Sequence, residues 1–439
     1  MTSRSFRSRL LKSLDSRPFL KNVLTLVSGT AAAQAVGIIL AIPLAWLYSP
    51  EAFGLFGIIQ AIVAVLVTVA ASRYDLAIVL PEQDSHARVI MKLARRSIVV
   101  VSLLSALVLL VMSSWFEKHY DSHMLGQWMW TAGILTYLTS QAANLQFWYT
   151  RKTRYKVIAY NRVLQTTGVA IFQLALYKLL PDFRGLLVGT ILGQLLALAF
   201  LTHQNRSDEP VDLTDAPTCW QMAKKYWRMP IYNAPTALVD GVRSNGIIMI
   251  IGLAGANVVG QYSQAYRMMQ VPLGFVTASV TQVFYQRLAT IKPGEMTPLV
   301  KEAVKKLGMV GFLPFLVLGL IAPWLFPFVF GPQWDQAGYF AQAITPWMFM
   351  LVMTSPISNI FIVTDTQKWM LVFSTIYTVA TLGVLALSPW SMLATVWVMS
   401  CVNAALLAGM LIMAVLAARR YDARRAEDAQ SEDEIRPQS

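Results

Sequence analysis

Twelve apolar runs, broken by short charged or turn-rich stretches, dominate this chain of 439 residues. A bilayer core about 30 Å thick takes ~20 residues of helix to cross, and it offers the backbone no outside hydrogen-bond partner. Runs of this length are therefore expected to be membrane-spanning helices. They lie near residues 23–47, 53–71, 97–115, 126–148, 163–180 and 185–201, then 231–253, 262–284, 307–330, 337–363, 369–387 and 392–417. Composition agrees: 13% of residues are charged and 56% are hydrophobic, whereas soluble domains carry about 25% charged residues.

Sorting the basic residues by side tests the count. If successive runs alternate in direction, 31 of the 36 Lys and Arg fall in tails and loops on one side. Lys118, Lys178 and Arg184 fall on the other, and Arg243 and Arg267 lie inside runs. Cytoplasmic loops collect Lys and Arg, so both termini are expected in the cytoplasm. The bias also accounts for the net charge of +13 through contact with anionic membrane lipids, and it calls for no nucleic-acid partner. The opening is basic and lacks a cleavage signal, so it reads as a cytoplasmic tail.

The expected organisation is an all-α integral membrane protein of 12 transmembrane helices in two six-helix bundles. A basic tail (1–22) precedes an N-terminal bundle (23–202), a cytoplasmic linker (203–230), a C-terminal bundle (231–417) and a charged tail (418–439) expected to be disordered. A small internal echo accompanies the two sets. Phe53-Gly54-Leu55-Phe56 opens the second run, and Val259-Gly260-Gln261-Tyr262 opens the eighth at an offset of 206 residues.

Several chemistries lack their parts. Cys219 and Cys401 are far apart without redox or metal spacing. The four histidines are scattered, and neither an HExxH pattern nor a phosphate-cradling GxxxxGK[ST] loop occurs. No cofactor and no enzymatic activity is expected.

Charges within the runs are few: Asp240, Arg243 and Arg267, with Asp75 and Asp365 at run ends. A central charge costs ~2.5–3.5 kcal/mol on insertion scales, so such residues face a partner or a cavity. Asp240 and Arg243, three apart, share a helix face and read either as an internal ion pair or as part of a coupling site. One Asp does not neutralise two arginines. A guanidinium is always charged, and its donor fork matches phosphate oxygens two at a time. Arg243 and Arg267 are therefore the candidate diphosphate-binding pair. Uncharged polar groups expected near the same cavity are Thr30 and Gln34 in the first run, Gln60 in the second, and Gln141 and Asn144 in the fourth. Their alternative role is interhelical hydrogen bonding.

Several stretches carry a family resemblance. They are VLTLVSGTAAAQ (23–34), LYSPEAFGLFGI (47–58), SRYDLAIVLPEQDSHA (72–87), VGQYSQAYRMMQVPLGFVTASVTQVFYQRLA (259–289) and FGPQW (330–334). With its twelve runs, the chain resembles the Wzx-type oligosaccharide-lipid flippases of the multidrug/oligosaccharidyl-lipid/polysaccharide exporter superfamily. The resemblance implies two bundles in a V around a central cavity. It implies transport of undecaprenyl-diphosphate-linked oligosaccharide across the bacterial inner membrane by alternating access, for O-antigen, capsule or exopolysaccharide. Coupling to Na+ or H+, and a polysaccharide polymerase and chain-length regulator as partners, belong to the same implication. Family members place cavity arginines in the first, seventh and eighth helices; here the first run has no charge. The alternative is a cation-coupled drug exporter of the multidrug and toxin extrusion type. Cationic drugs call for buried carboxylates, and here membrane arginines outnumber the one central acid.

Overall fold

The computed structural model describes residues 17–206, 211–212, 214, 216–289, 294–358, 360–364 and 366–435. Among these, twelve helices have 19 residues or more. They are α1 (Arg17–Leu47), α2 (Pro50–Ala70), α3 (Asp84–Val111), α4 (Thr131–Arg151), α5 (Tyr155–Leu176) and α6 (Phe183–Arg206). There follow α7 (Ala234–Gly252), α8 (Ala256–Ala289), α9 (Met296–Phe330), α10 (Asp335–Ile357), α11 (Gln367–Leu387) and α12 (Met392–Ile435). Each overlaps one apolar run. Several extend past it, because α3, α5 and α9 begin with polar turns that an apolar count leaves out.

The chain divides into two compact units, Met1–Gly260 and Gln261–Ser439. The sequence reading opens the second bundle at residue 231. The structure instead packs α7 against α2 inside the first unit: Gly241 lies against Thr68, and Gly252 against Ile58 and Tyr120. The missing side chains at these two glycines are what let the helices meet, and the Tyr120 hydroxyl donates to the Met249 carbonyl at 3.1 Å.

Close approach through glycine recurs in the first unit. Gly185, Gly189 and Gly193 form a stripe at four-residue spacing along α6. A Cβ at Gly189 would lie 2.7 Å from the Gln173 nitrogen of α5, and one at Gly193 2.4 Å from the Val169 nitrogen. Lipid supplies no hydrophobic drive between helices, so such backbone contact is a main source of attraction. Gln173 closes the junction by donating to the Leu186 carbonyl and the Thr190 hydroxyl, both at 3.0 Å.

The two glycines of the internal echo meet each other. A Cβ at Gly54 would lie 1.8 Å from the Ala256 carbonyl oxygen, and one at Gly260 1.8 Å from the Pro50 carbonyl oxygen. Pro50 precedes Gly54 by one turn, as Ala256 precedes Gly260, so the crossing of α2 with the first turn of α8 is reciprocal.

One end of the first unit holds a core of Ala70, Tyr74, Ile78, Ile90, Trp148, Tyr149, Leu201 and Met222. This is the end to which the sequence assigns most basic loops. Arg151, the last residue of α4, binds the segment between α2 and α3. Its guanidinium donates to the Ile78, Pro81 and Glu82 carbonyls at 3.3, 2.5 and 2.9 Å, and to Asp84 at 2.8 Å.

In the second unit Gln261 ties α8 to the start of α10. It donates to the Gln333 carbonyl at 2.7 Å and accepts from the Ala337 N–H at 2.8 Å. Trp347 of α10 donates through its indole to the Tyr377 hydroxyl at 2.6 Å, and Thr381 donates to Asn403 at 2.7 Å. The tail expected to be disordered from 418 is helical to Ile435. Asp422 fixes it by accepting from the Met296 and Thr297 N–H groups at 3.1 and 2.8 Å, filling the open donors at the start of α9.

Gly54→Leu and Gly260→Leu should each force a backbone shift at the crossing. Thermal unfolding in detergent should fall by at least the ~1–3 kcal/mol of overpacking. Gly409→Ala, at a site with open space around it, should hold or slightly raise stability. A Gly54→Leu protein as stable as wild type would show that the crossing tolerates separation.

Candidate functional site

Eight of the twelve helices are long and apolar enough, among the described residues, to cross a membrane. The four outside that group are α4, α5, α7 and α8. These are also the helices that carry Gln141 and Asn144, Asp240 and Arg243, and Arg267. The surroundings of each differ.

On α4, Asn144 is fully buried and Gln141 nearly so. Asn144 donates to the Met91 carbonyl of α3 at 3.2 Å and sits 3.5 Å from the Gln141 side-chain oxygen. The Asn144–Met91 bond is interhelical and the Gln141 contact lies within α4, while the Asn144 Oδ1 has no partner among the described residues. Gln60 of α2 is half-buried, and Gln34 of α1 is exposed.

On α7, Asp240 is exposed and Arg243 half-buried. They pair across one turn at 3.4 Å, too long for a strong charge-assisted bond. The Arg243 Nε is screened from solvent and has no hydrogen-bond partner among the described residues. The guanidinium is thus held by a loose partner, with a donor left over. Arg267 lies in the second unit, exposed on α8. Gln264, three residues earlier on the same helix, is 1% exposed, and neither atom of its amide group has a partner among the described residues. Leaving a buried polar group unpaired costs ~1–3 kcal/mol.

Thr30 has a partner that the sequence reading did not supply. It accepts a short hydrogen bond from the Arg162 guanidinium of α5. The sequence assigns Arg162 to a loop, but α5 begins at Tyr155 and carries it two turns in. The first unit therefore brings a cation to α1 from a neighbouring helix. Gly29 and Ala159 explain how: a Cβ at Gly29 would lie 2.4 Å from that of Ala159, so α1 and α5 touch at this level. Asn161, beside Arg162, is fully buried with both amide atoms unpartnered among the described residues. Arg162, Asn161 and Gln264 are the polar groups missed from sequence. The three-residue spacing of Gln264 and Arg267 was the available signal for one of them.

The SRYDLAIVLP stretch forms a constrained turn after α2. Ser72 and Arg73 both take left-handed backbone, with φ of 48° and 60°, a conformation unfavourable for side-chain-bearing residues. The Ser97 hydroxyl donates to the Ala70 carbonyl at 2.9 Å and accepts from Ser72 at 2.7 Å, serving the end of α2. A short helix, Tyr74–Ala77, follows. Within it the Asp75 Oδ1 is buried without a partner among the described residues, and burial pushes the Asp75 carboxyl above the usual carboxylate range. Asp365 lies outside the described residues. No three His, Cys, Asp or Glu side chains gather as metal ligands among the described residues.

The arrangement of helices recurs in solved structures. The chain superposes on the lipid II flippase MurJ, in an inward-closed conformation, with a TM-score of 0.69. That match covers 92% of this chain and 91% of the other at 12% identity. Inward- and outward-facing structures of a multidrug resistance MATE family transporter of the MOP superfamily superpose with TM-scores of 0.59 and 0.53. Identity there is 14% and 15%, with coverage of 92% and 95% of this chain and 95% and 98% of the others. The chain thus shares the fold of these structures. No curated protein matches the chain in sequence. The model of a family described as polysaccharide biosynthesis protein matches residues 43–338, about two thirds of the chain, and the chain belongs to that family.

The raised Asp75 pKa has a definite sign. The folded state disfavours the carboxylate, so wild type loses stability as pH rises from below the ordinary carboxylate value through the folded pKa. Asp75→Asn removes that loss. Its thermal stability relative to wild type should therefore be higher at pH 7 than at pH 4, and a pH-independent difference would contradict the assignment.

Proposed function

We propose that the chain is a flippase for undecaprenyl-diphosphate-linked oligosaccharide in the bacterial inner membrane, working by alternating access. Its product would feed O-antigen, capsule or exopolysaccharide assembly, with a polymerase and a chain-length regulator as downstream partners. In this reading all twelve long helices cross the bilayer and both termini are cytoplasmic. The family assignment supports polysaccharide biosynthesis as the setting, and the fold supports transport.

The observation that carries the reading is the placement of guanidinium groups on the helices too polar for a plain lipid-facing role. Arg243 and Arg267 are the proposed diphosphate contacts. Arg162, joined to Thr30, is added to them; it supplies the first-half cation that the charge-free run 23–47 lacks. Each guanidinium offers paired donors to phosphate oxygens. Gln34 and Gln60 are retained as sugar-facing candidates. Gln141 and Asn144 are set aside as bundle hydrogen-bond partners. Asp240 orients Arg243, or binds the Na+ or H+ that couples transport. The chain's part is to bind, orient and release; no covalent step is assigned.

A cation-coupled drug exporter is the second reading, favoured only by the likeness to MATE transporters. It requires carboxylates facing a cationic guest, and Asp240 is the one acid on the polar helices besides these arginines.

The test is leaflet transfer of a defined undecaprenyl-diphosphate oligosaccharide in proteoliposomes, with and without Na+ or H+ gradients. Arg243→Gln, Arg267→Gln and Arg162→Gln should each slow transfer about ten- to a hundredfold, as expected for losing a charged hydrogen bond of ~1.5–3 kcal/mol. Protein abundance should be unchanged. Normal transfer in all three would remove the anion-site assignment; transport of cationic dyes with no lipid transfer would favour the exporter.

A further inference from the structure

Residues 216–233 take in the end of the expected cytoplasmic linker (203–230) and the start of the seventh run, and they are packed and helical in part. Thr218 caps a short helix, Cys219–Lys225, through a reciprocal bond with Gln221. A π-turn, Met229–Asn233, then leads without a break into α7. Cys219, Met222, Tyr226 and Met229 recur at three- and four-residue spacing, and all four pack on the core at the basic end of the first unit. Met222 is the anchor, 4% exposed.

The opposite face is neither plainly polar nor plainly core-like. Trp220 is 78% exposed, Trp227 43%, Ile231 56% and Tyr232 59%. Lys224, Lys225 and Arg228 are exposed among them, and residues 216–233 contain no Asp or Glu. Aromatic and basic groups sit together: the Arg228 guanidinium lies 5.8 Å from the Trp227 ring centre, and Trp227 lies 5.8 Å from Tyr232. Indole and phenol rings with one apolar and one polar edge favour the headgroup level of a bilayer. Unopposed Lys and Arg favour an anionic leaflet.

We infer that residues 216–233 form an in-plane membrane anchor whose Trp220, Trp227, Ile231 and Tyr232 enter the headgroup region while Lys224, Lys225 and Arg228 bind anionic lipid phosphates. The occupant of this face is lipid and not a protein partner, because aromatic side chains stand beside three cations with no acid on the segment, the complement of an anionic headgroup layer. The anchor goes beyond the transport reading and does not depend on which substrate is moved. It fixes the approach to α7, the helix of Asp240 and Arg243, to the surface of the bilayer.

The test uses the full chain in lipid nanodiscs. With Cys219 and Cys401 changed to Ser, Trp220→Cys or Trp227→Cys carries a nitroxide label, and its collisions with O2 and with a neutral nickel chelate are compared. In an equimolar phosphatidylcholine–phosphatidylglycerol bilayer the O2-to-nickel ratio at both positions should be several-fold above that of a label at Thr153, an exposed turn residue between α4 and α5. Lys224→Gln/Lys225→Gln/Arg228→Gln should lower the ratio toward the loop value, and pure phosphatidylcholine should do the same. The Trp, Lys and Arg substitutions touch only exposed side chains, and gel filtration of each variant, the Cys219→Ser/Cys401→Ser background included, checks its fold. Free nickel access at both positions in the anionic bilayer would overturn the anchor. So would exclusion of both reagents, which would mark a protein contact instead.

Discussion

Inside a bilayer, helices gain nothing from hiding apolar surface from each other, since lipid is as apolar as they are. What remains is close contact of backbones, and this molecule obtains it by leaving out side chains. Gly189 and Gly193 let α5 and α6 come together; Gly241 and Gly252 do the same for α7 and α2; Gly54 and Gly260 let α2 meet the start of α8. In the second unit Gly338 sits with α9 backbone where a Cβ would be 2.5 Å from the Ala322 carbonyl oxygen. These junctions position everything else, including the polar helices.

Because packing is settled by small residues, polar side chains are freed from holding helices together in some places and are required for it in others. Asn144, bonded to Met91, belongs to the second kind. Arg243, with a long contact to Asp240 and an Nε unpartnered among the described residues, belongs to the first. The distinction gives a physical basis for choosing among polar intramembrane residues that look equivalent as letters.

The succession of long helices was legible because each carries an apolar run that water would reject. Their true lengths were not. The first turns of α3 hold Arg88, Lys92, Arg95 and Arg96, and the last turns of α12 are rich in Arg, Asp and Glu; both are helical without being apolar. Asp422 keeps the latter in place by a contact with Met296 and Thr297, more than a hundred residues earlier in the chain, which no local pattern announces. Arg162 was hidden for the same reason, lying in a polar helix start that resembled a loop. Arg243 and Asp240 stood out from the sequence because they interrupt an apolar run, but the looseness of their pairing is a matter of geometry.

The reciprocal crossing at Gly54 and Gly260 has a consequence for how such a chain changes over generations. Each glycine makes room for the carbonyl one turn before the other, so a larger residue at either position presses on the helix that holds its counterpart. The two sites, 206 residues apart, are mechanically a single locus. A lineage that relaxes one must reshape the other's helix at the same time, which predicts that the pair is inherited together even where the surrounding runs diverge.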